Sequence, residues 1–393
     1  MLNIPAISAV IPAYNAANYI RETIESLLNQ TLRPNEIIVV DDASTDDTAL
    51  IVEEMADKYE SIKFMHLSEN VGVSAARNLG IEVSKADFIV LMDADDVACS
   101  NLLEMEYEAI VQKEILFNAR FALCHSSYIY IDETGSVVGP PVKWKQVLPE
   151  ETLGYQFIRN NIITPSGVII KRDILIEMHG FNTNLKRSED HDLWLRIAAK
   201  YGFAYVDEPL VKVRRHANNA SRSLDEMLKS ERRILESYPL DYIEKAIYKR
   251  HLPWWENKAD YAELLYKLEH WDEGYVIVGE ILSRKQDYPK AFFLEGLYYL
   301  KKGHFDEALT SFEKTISLNK NHGAALNNIG ALFAINGDIE NAVLILQRAI
   351  ELYPDYLDAT HNLKMISANN KLTISDARFT WRELRPVLIR YVE

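Results

Sequence analysis

The second half of this chain repeats itself at an interval of 34 residues, and no other feature constrains its fold as tightly. Gly296 returns as Gly330, Gly303 as Gly337, Ala308 as Ala342, Phe305 as Ile339 and Phe312 as Leu346. The same step backwards leads from Gly296 to Ala262, from Phe305 to Trp271 and from Ala308 to Gly274. Small residues at a fixed interval mark where two helices must touch. A unit that cannot bury its apolar face alone does so by stacking on its neighbours. Pro354 follows the second helix of the last clear copy, where a helix stop is expected. From Trp254 onward the chain therefore reads as an all-α array of about three helix pairs, the minimum for a stable stack.

The first half has a different rhythm. Short apolar runs at Ile7 to Ile11, Glu36 to Val40, Ile62 to Leu67, Phe88 to Met92, Phe121 to Tyr130 and Gly167 to Ile170 read as strands. Amphipathic stretches at Tyr19 to Leu28, Asp46 to Lys58 and Ser74 to Val83 separate the first four, each long enough for a crossover helix. This alternation predicts an α/β domain with a doubly wound, mostly parallel sheet. Ligands of such sheets gather at the carboxyl ends of the strands. The pattern divides the chain into an α/β domain over 1–222, a helical connector over 223–253, helical repeats over 254–368 and an amphipathic tail over 369–393, read as a capping helix or a membrane-surface segment.

Charge and cysteine usage bound the partners. Lysine and arginine number 43 against 58 aspartates and glutamates, a net charge of -15, which argues against coating nucleic acid or an anionic membrane. Cys99 and Cys124 cannot make a disulfide framework, and zinc-site spacings are absent. No apolar run approaches the ~18 residues of a membrane span. The expectation is a cytoplasmic protein, with peripheral membrane contact open through the tail.

The strand ends carry the chemistry. The first runs into Pro12-Ala13-Tyr14-Asn15, and the second ends in Asp41-Asp42-Ala43-Ser44-Thr45-Asp46-Asp47-Thr48. Ser44 with Asp47 reads as a capping box for the following helix, whereas Asp41 and Asp42 suit a nucleobase N–H or a ribose hydroxyl. Asn70-Val71-Gly72 opens a helix carrying Arg77, an arrangement that suits an anion. The fourth strand ends in Asp93-Ala94-Asp95-Asp96, carboxylates whose mutual repulsion a divalent cation would relieve. If that segment is extended, Asp93 and Asp95 converge on one ligand.

Taken in order, these motifs and the later Ser188-Glu189-Asp190-His191-Asp192-Leu193-Trp194 resemble the family 2 glycosyltransferases, and the repeats resemble the tetratricopeptide family. The first resemblance covers about Ile4 to Ser221. It implies a GT-A fold and an inverting, metal-dependent transfer of a sugar from a nucleotide-diphosphate donor, by family habit a UDP-sugar, to an acceptor hydroxyl. It further implies that Pro12, Tyr14 and Asp42 surround the base, that Arg77 lies near the base or diphosphate, and that Asp93 contacts the donor. Asp95 matches the metal-binding aspartate of the DxD motif, for Mn²⁺ or Mg²⁺, and Asp190 the catalytic base. Asp190 stands at the start of a helix pattern, whose dipole favours the ionised form. His216, in Arg214-Arg215-His216, is a candidate further metal ligand or diphosphate contact, and the arginines are candidates for phosphate. The acceptor is a protein, a glycan or a lipid-linked sugar. The repeats are expected to position an acceptor or partner protein, or to self-associate through Trp254, Trp255 and Trp271. Two other readings compete: a repeat scaffold with an inactive transferase-like domain, and a nucleotidyltransferase. The second lacks its loop, since Ala13 to Ala17 holds neither glycine nor a basic residue.

Overall fold

The computed structural model describes residues 5–162, 164–216, 224–369 and 371–384, and the chain divides into two compact units, 1–250 and 251–393. The first unit begins with strict alternation: β1 (Ile7–Ala13), α1 (Ile20–Leu28), β2 (Glu36–Asp41), α2 (Thr48–Lys58), β3 (Ile62–His66), α3 (Val73–Val83) and β4 (Phe88–Leu91). All residues of β1 and β2 are buried, as strands covered on both faces must be. After β5 (Val97–Ala98) and α4 (Leu102–Phe117) come β6 (Phe121–Ile131) and β7 (Val137–Val142). There follow α5 (Thr152–Ile158), β8 (Ile169–Lys171), α6 (Arg172–Glu177), α7 (Glu189–Ala198), β9 (Gly202–Arg214), α8 (Leu224–Glu236) and α9 (Leu240–Ile247).

The sheet runs β3-β2-β1-β4-β8-β6-β9-β5, with β7 paired to β6. It is parallel across its first four strands, as the crossover helices require, and β6 and β9 also pair in parallel. Beyond β4 the sheet is mixed, because β8 runs antiparallel to both β4 and β6. The apolar runs around 203–206 and 210–213 are one strand, β9, whose register with β6 shifts near Pro209. Behind the sheet, Trp194 of α7, Ile81 of α3 and Ile174 of α6 close over Val10, Leu91 and Ile170. Each such fully buried aliphatic side chain contributes ~1.5–3 kcal/mol.

The second unit comprises α10 (Trp254–Lys267), α11 (Trp271–Arg284), α12 (Pro289–Lys302), α13 (Phe305–Leu318), α14 (Gly323–Ile335), α15 (Ile339–Leu352) and α16 (Leu357–Asn369). Of the repeating glycines, Gly303 and Gly337 sit at positive φ in the turns between helices, whereas Gly296 and Gly330 sit where the helices of a pair meet. A Cβ on Gly296 would come within 2.5 Å of the Phe312 ring, and one on Gly330 within 2.6 Å of Leu346. Trp254, Trp255 and Trp271 pack against this unit's own core. No helix among the described residues is long and apolar enough to cross a membrane. Residues 371–384 make a single turn and then run on without helix, so the capping helix expected in the tail does not form there. Arg385, Leu388, Ile389 and Arg390 of that tail, and Ala217 to Ser221 of the Arg/His segment, lie outside the described residues.

Candidate active site

A cleft of about 760 Å³ opens at the carboxyl ends of β1 and β4. Pro12, Tyr14, Arg77, Asp93, Asp95, Asp190 and His216 all line it, as do Asp96, Glu189 and Arg215. Seven of the eight residues singled out from the sequence therefore share one cavity, drawn from positions more than 200 residues apart. Tyr14, 53 % exposed, lines the cleft from its open side.

Asp42 is not among the lining residues. Its carboxylate accepts the N–H groups of Val71 and Gly72 at 2.7 and 2.9 Å, so it fills the position at the start of α3 that the sequence suggested for a ligand anion. Gly72 has φ +88°, which turns these N–H groups toward it at no steric cost. The capping box expected at α2 does not form either. Ser44 bonds to Asp41 and accepts the Asn15 N–H at 2.9 Å, and it is Asp46 that accepts the Thr48 N–H at 3.0 Å.

Residues 92–96 form a turn, with the Asp96 N–H donating to the Asp93 carbonyl at 3.3 Å. Asp93 and Asp95 consequently meet different partners, although both line the cleft. Three carboxylates in four residues repel, and the turn gives each a separate partner. Asp93 pairs with Arg77 at 2.7 Å, Asp95 with the His216 imidazole at 2.8 Å, and Asp96 accepts the Arg214 N–H at 2.8 Å. Burial, with the charges of Asp95 and Asp93, pushes the Asp96 carboxyl well above the ordinary carboxylate range.

Arg77 is almost fully buried and spans two acids, Asp93 and, at 2.8 Å, Glu189. It therefore ties the turn after β4 to the start of α7. Arg214 holds the opposite wall: its guanidinium donates to the Asp95 carbonyl at 2.9 Å and to Glu22 at 2.6 Å, and lies 4.7 Å over the Tyr19 ring. Engaged this way and 2 % exposed, Arg214 braces the cleft wall that it helps to line. His216 stacks on the same ring at 5.0 Å. Glu189 and Tyr19 were not assigned roles from sequence, and Arg214 only that of a phosphate contact. Their structural roles come from distant partners.

Asp190 is the second residue of α7, partly buried in the cleft wall. Its carboxylate accepts the His191 N–H at 2.7 Å, with the Asn160 amide at 3.4 Å. Burial, together with the Glu189 charge, raises its pKa to about 7. The helix start was expected to favour the ionised form, but loss of water around the carboxyl outweighs it. Ser188, just before the helix, is left-handed with φ +58°, a conformation stored by the packing around it.

Fold and cleft together define an α/β domain with an acidic cleft at the carboxyl ends of its strands. A model of glycosyl transferase family 2 matches residues 8–178, and a tetratricopeptide-repeat model matches residues 293–356. An uncharacterized glycosyltransferase of Methanocaldococcus jannaschii is 32% identical over 215 residues, covering 53% of this chain and 71% of that protein. The glycosyltransferase GlyG of Streptococcus pneumoniae is 26% identical over 226 residues, covering 55% of this chain and 73% of its own. The chain spans only 33% of an uncharacterized glycosyltransferase of Rickettsia felis, at 29% identity. Among solved structures, S. aureus TarS 1-349 in complex with UDP aligns with a TM-score of 0.47 at 18% identity, covering 90% of this chain and 93% of that one. The chain belongs to glycosyl transferase family 2, and tetratricopeptide repeats follow its transferase domain.

Proposed function

We propose that the first unit moves a sugar from a nucleoside-diphosphate donor, of the UDP-sugar kind, to an acceptor hydroxyl with inversion at the anomeric carbon. The observation that carries this reading is a carboxyl poised near neutrality, Asp190, in the same cleft as the Asp95–His216 pair. A general base works best when its pKa lies near the operating pH. Asp190 takes the acceptor proton as the acceptor oxygen bonds to the anomeric carbon from one face. The bond to the diphosphate breaks on the other face, and the nucleotide leaves with that electron pair. One carboxylate suffices, and no covalent sugar–enzyme intermediate is required.

Tyr14 and Pro12 give the base an apolar surface at the lip. Asp93, fixed by Arg77, presents its remaining oxygen to the donor. Asp42 acts indirectly, by fixing the start of α3 beside the cleft. Among the described residues no group of three metal-ligating side chains converges. The donor set nevertheless fits Mn²⁺ or Mg²⁺ shared with the donor: Asp95 offers a carboxylate and His216 an imidazole nitrogen, and such ions take much of their coordination from substrate phosphates and water. When bound, the ion neutralises charge on the departing diphosphate.

The second unit holds a polypeptide, an acceptor or partner protein, as helix-pair stacks present extended surfaces for that purpose. A panel of nucleotide sugars with Mn²⁺ or Mg²⁺ tests the chemistry. Expected is metal-dependent nucleotide release from one donor, lost in Asp95→Ala. If no donor releases nucleotide above background, with or without added acceptor extract, the reading fails. The role of the repeats is tested by transfer to protein acceptors in extract, which excess isolated repeat surface or partner should inhibit without changing nucleotide release to water.

A further inference from the structure

Asp190 is the second residue of α7, so the direction of its carboxylate is set by how the chain enters that helix. Ser188, just before α7, lies in the left-handed region with φ +58° and ψ +24°, a state that strains any side chain. A serine at that position ordinarily caps the helix with its own hydroxyl, yet Ser188 accepts no N–H of the first turn that way. The first bond inside the helix, from the Asp192 N–H to the Ser188 carbonyl at 3.1 Å, therefore depends on what holds residues 187 and 188.

That hold comes from α8. Its Ser230 hydroxyl donates to the Arg187 carbonyl at 2.6 Å. The carbonyl belongs to the planar peptide group joining Arg187 to Ser188, so the bond fixes the plane from which Ser188 turns. One turn back along α8, Glu226 pairs with the Arg187 guanidinium at 2.8 Å. Next to Ser230, Glu231 lies 3.9 Å from Nδ1 of His191. Nε2 of that ring donates to the Gln156 carbonyl at 2.9 Å, since a carbonyl only accepts. α8 thus meets Arg187 and His191, the residues that bracket Ser188, Glu189 and Asp190. The Glu226 pair is exposed and screened by salt, so it contributes little. The Ser230 bond is short and half-buried, and it is the stronger hold. Glu226, Ser230 and Glu231 do not line the cleft.

We propose that Ser230 is a positioning residue for the transfer. By holding the Arg187 carbonyl it fixes the entry to α7, and so aims the Asp190 carboxylate at the acceptor hydroxyl. Ser230 itself touches neither substrate nor metal. The inference rests on the reading of Asp190 as the base and adds the residue that orients it. Displacing a reacting group by ~1 Å can slow a reaction on the order of a hundred-fold. Loss of one hydrogen bond this close to the base is therefore felt in kcat before it is felt in stability.

The test uses the full chain and Ser230→Ala, which removes the hydroxyl and little else. In hydrogen exchange its Asp192 amide should exchange about ten-fold faster than in wild type. The Ala199 amide, bonded to Leu195 at the far end of the same helix, should not change. With a donor and acceptor that the wild type turns over, kcat should fall about ten-fold or more, with donor KM and thermal midpoint unchanged. Ser230→Thr keeps the hydroxyl and should match the wild type in every one of these measurements. Asp190→Glu displaces the carboxylate by one methylene, so adding Ser230→Ala to it should cost less than about three-fold in kcat. A merely structural loss would cost as much in that background as in the wild type. Unchanged Asp192 exchange in Ser230→Ala overturns the proposal, and so does unchanged kcat. An undiminished loss in the Asp190→Glu background overturns it as well. If the wild type transfers sugar and Ser230→Ala equals it, only this inference falls. If the wild type releases nucleotide from no donor, the reading of Asp190 fails on its own, and Asp192 exchange alone decides whether Ser230 holds the helix entry.

Discussion

Asp190 combines two demands that conflict in one side chain. A base must be ionised to accept a proton, yet burial in the cleft wall and the Glu189 charge hold its pKa at about 7. The log of kcat/KM should therefore rise with unit slope below pH about 7 and level off above it, as read from initial rates across a pH series. Asp190→Asn should abolish transfer while leaving donor binding by calorimetry intact; near-normal turnover would remove Asp190 as the base. The same shift has a consequence for stability. The folded-state pKa lies above the ordinary value of 3.8, so the carboxyl costs nothing while both states are protonated. Its cost grows as pH rises from about 4 to about 7, and persists above. Asp190→Asn should accordingly raise the thermal midpoint at pH 8 and leave it nearly unchanged at pH 4. Arg77 shows the opposite balance, since it compensates two acids at once. Replacing it with Met leaves Asp93 and Glu189 facing each other without a cation. That should cost about 3 kcal/mol in urea unfolding. Lys should restore only part, because one ammonium does not span two carboxylates as a guanidinium fork does.

At the scale of elements, Gly296 and Gly330 are packing devices. In Gly296→Val the new side chain has no room beside Phe312, and such overpacking costs about 2 kcal/mol. Phe312→Ala in the same chain should recover part of the loss, so that the two changes together destabilise by less than their sum in thermal melts. These contacts could be read from sequence because helix pairs repeat the same geometry at the same interval. The first four strands and three crossover helices were legible for a related reason: their apolar periods are local. What escaped was non-local or too short. β5 has two residues, and β7 contains Pro140 and Pro141, which argue against a strand unless it lies at an edge, as it does on β6. The composition of the cleft was legible but its pairings were not. Nothing near Arg77 in the chain announces Glu189, 112 residues away. The turn at 92–96, which sends Asp93 and Asp95 to different partners, depends on Arg214 and His216 arriving from β9 and the residues after it. The hold of Ser230 on the start of α7 was likewise hidden, because the Arg187 carbonyl that it meets is 43 residues away.

For the whole molecule, the arrangement of cores decides where a working transferase can be cut. All residues lining the cleft lie between Pro12 and His216, which would favour a boundary near 222, where the strand pattern ends. The packing argues for a later one. The first compact unit runs to Arg250, and α9 rests on α5 at Gly154, where the Ala246 carbonyl leaves no room for a side chain. The fully buried Phe157 of α5 is closed off by the rings of Tyr238 and Tyr242, at 5.1 and 6.0 Å, and Arg250 lies 5.1 Å over the Tyr155 ring. α5 in turn carries the carbonyl of Gln156, which bonds the ring of His191 at 2.9 Å, directly beside Asp190 in α7. Removing α8 and α9 would thus expose an apolar helix face and loosen the helix that holds the base. A chain of residues 1–250 should fold, melt cooperatively and release nucleotide from the donor at a rate within a few-fold of the full chain. A chain of residues 1–222 should bind an apolar dye, melt broadly and lose most of that activity, although it retains every residue of the cleft. Equal activity of the two would show that the cleft needs none of the support that α9 gives α5.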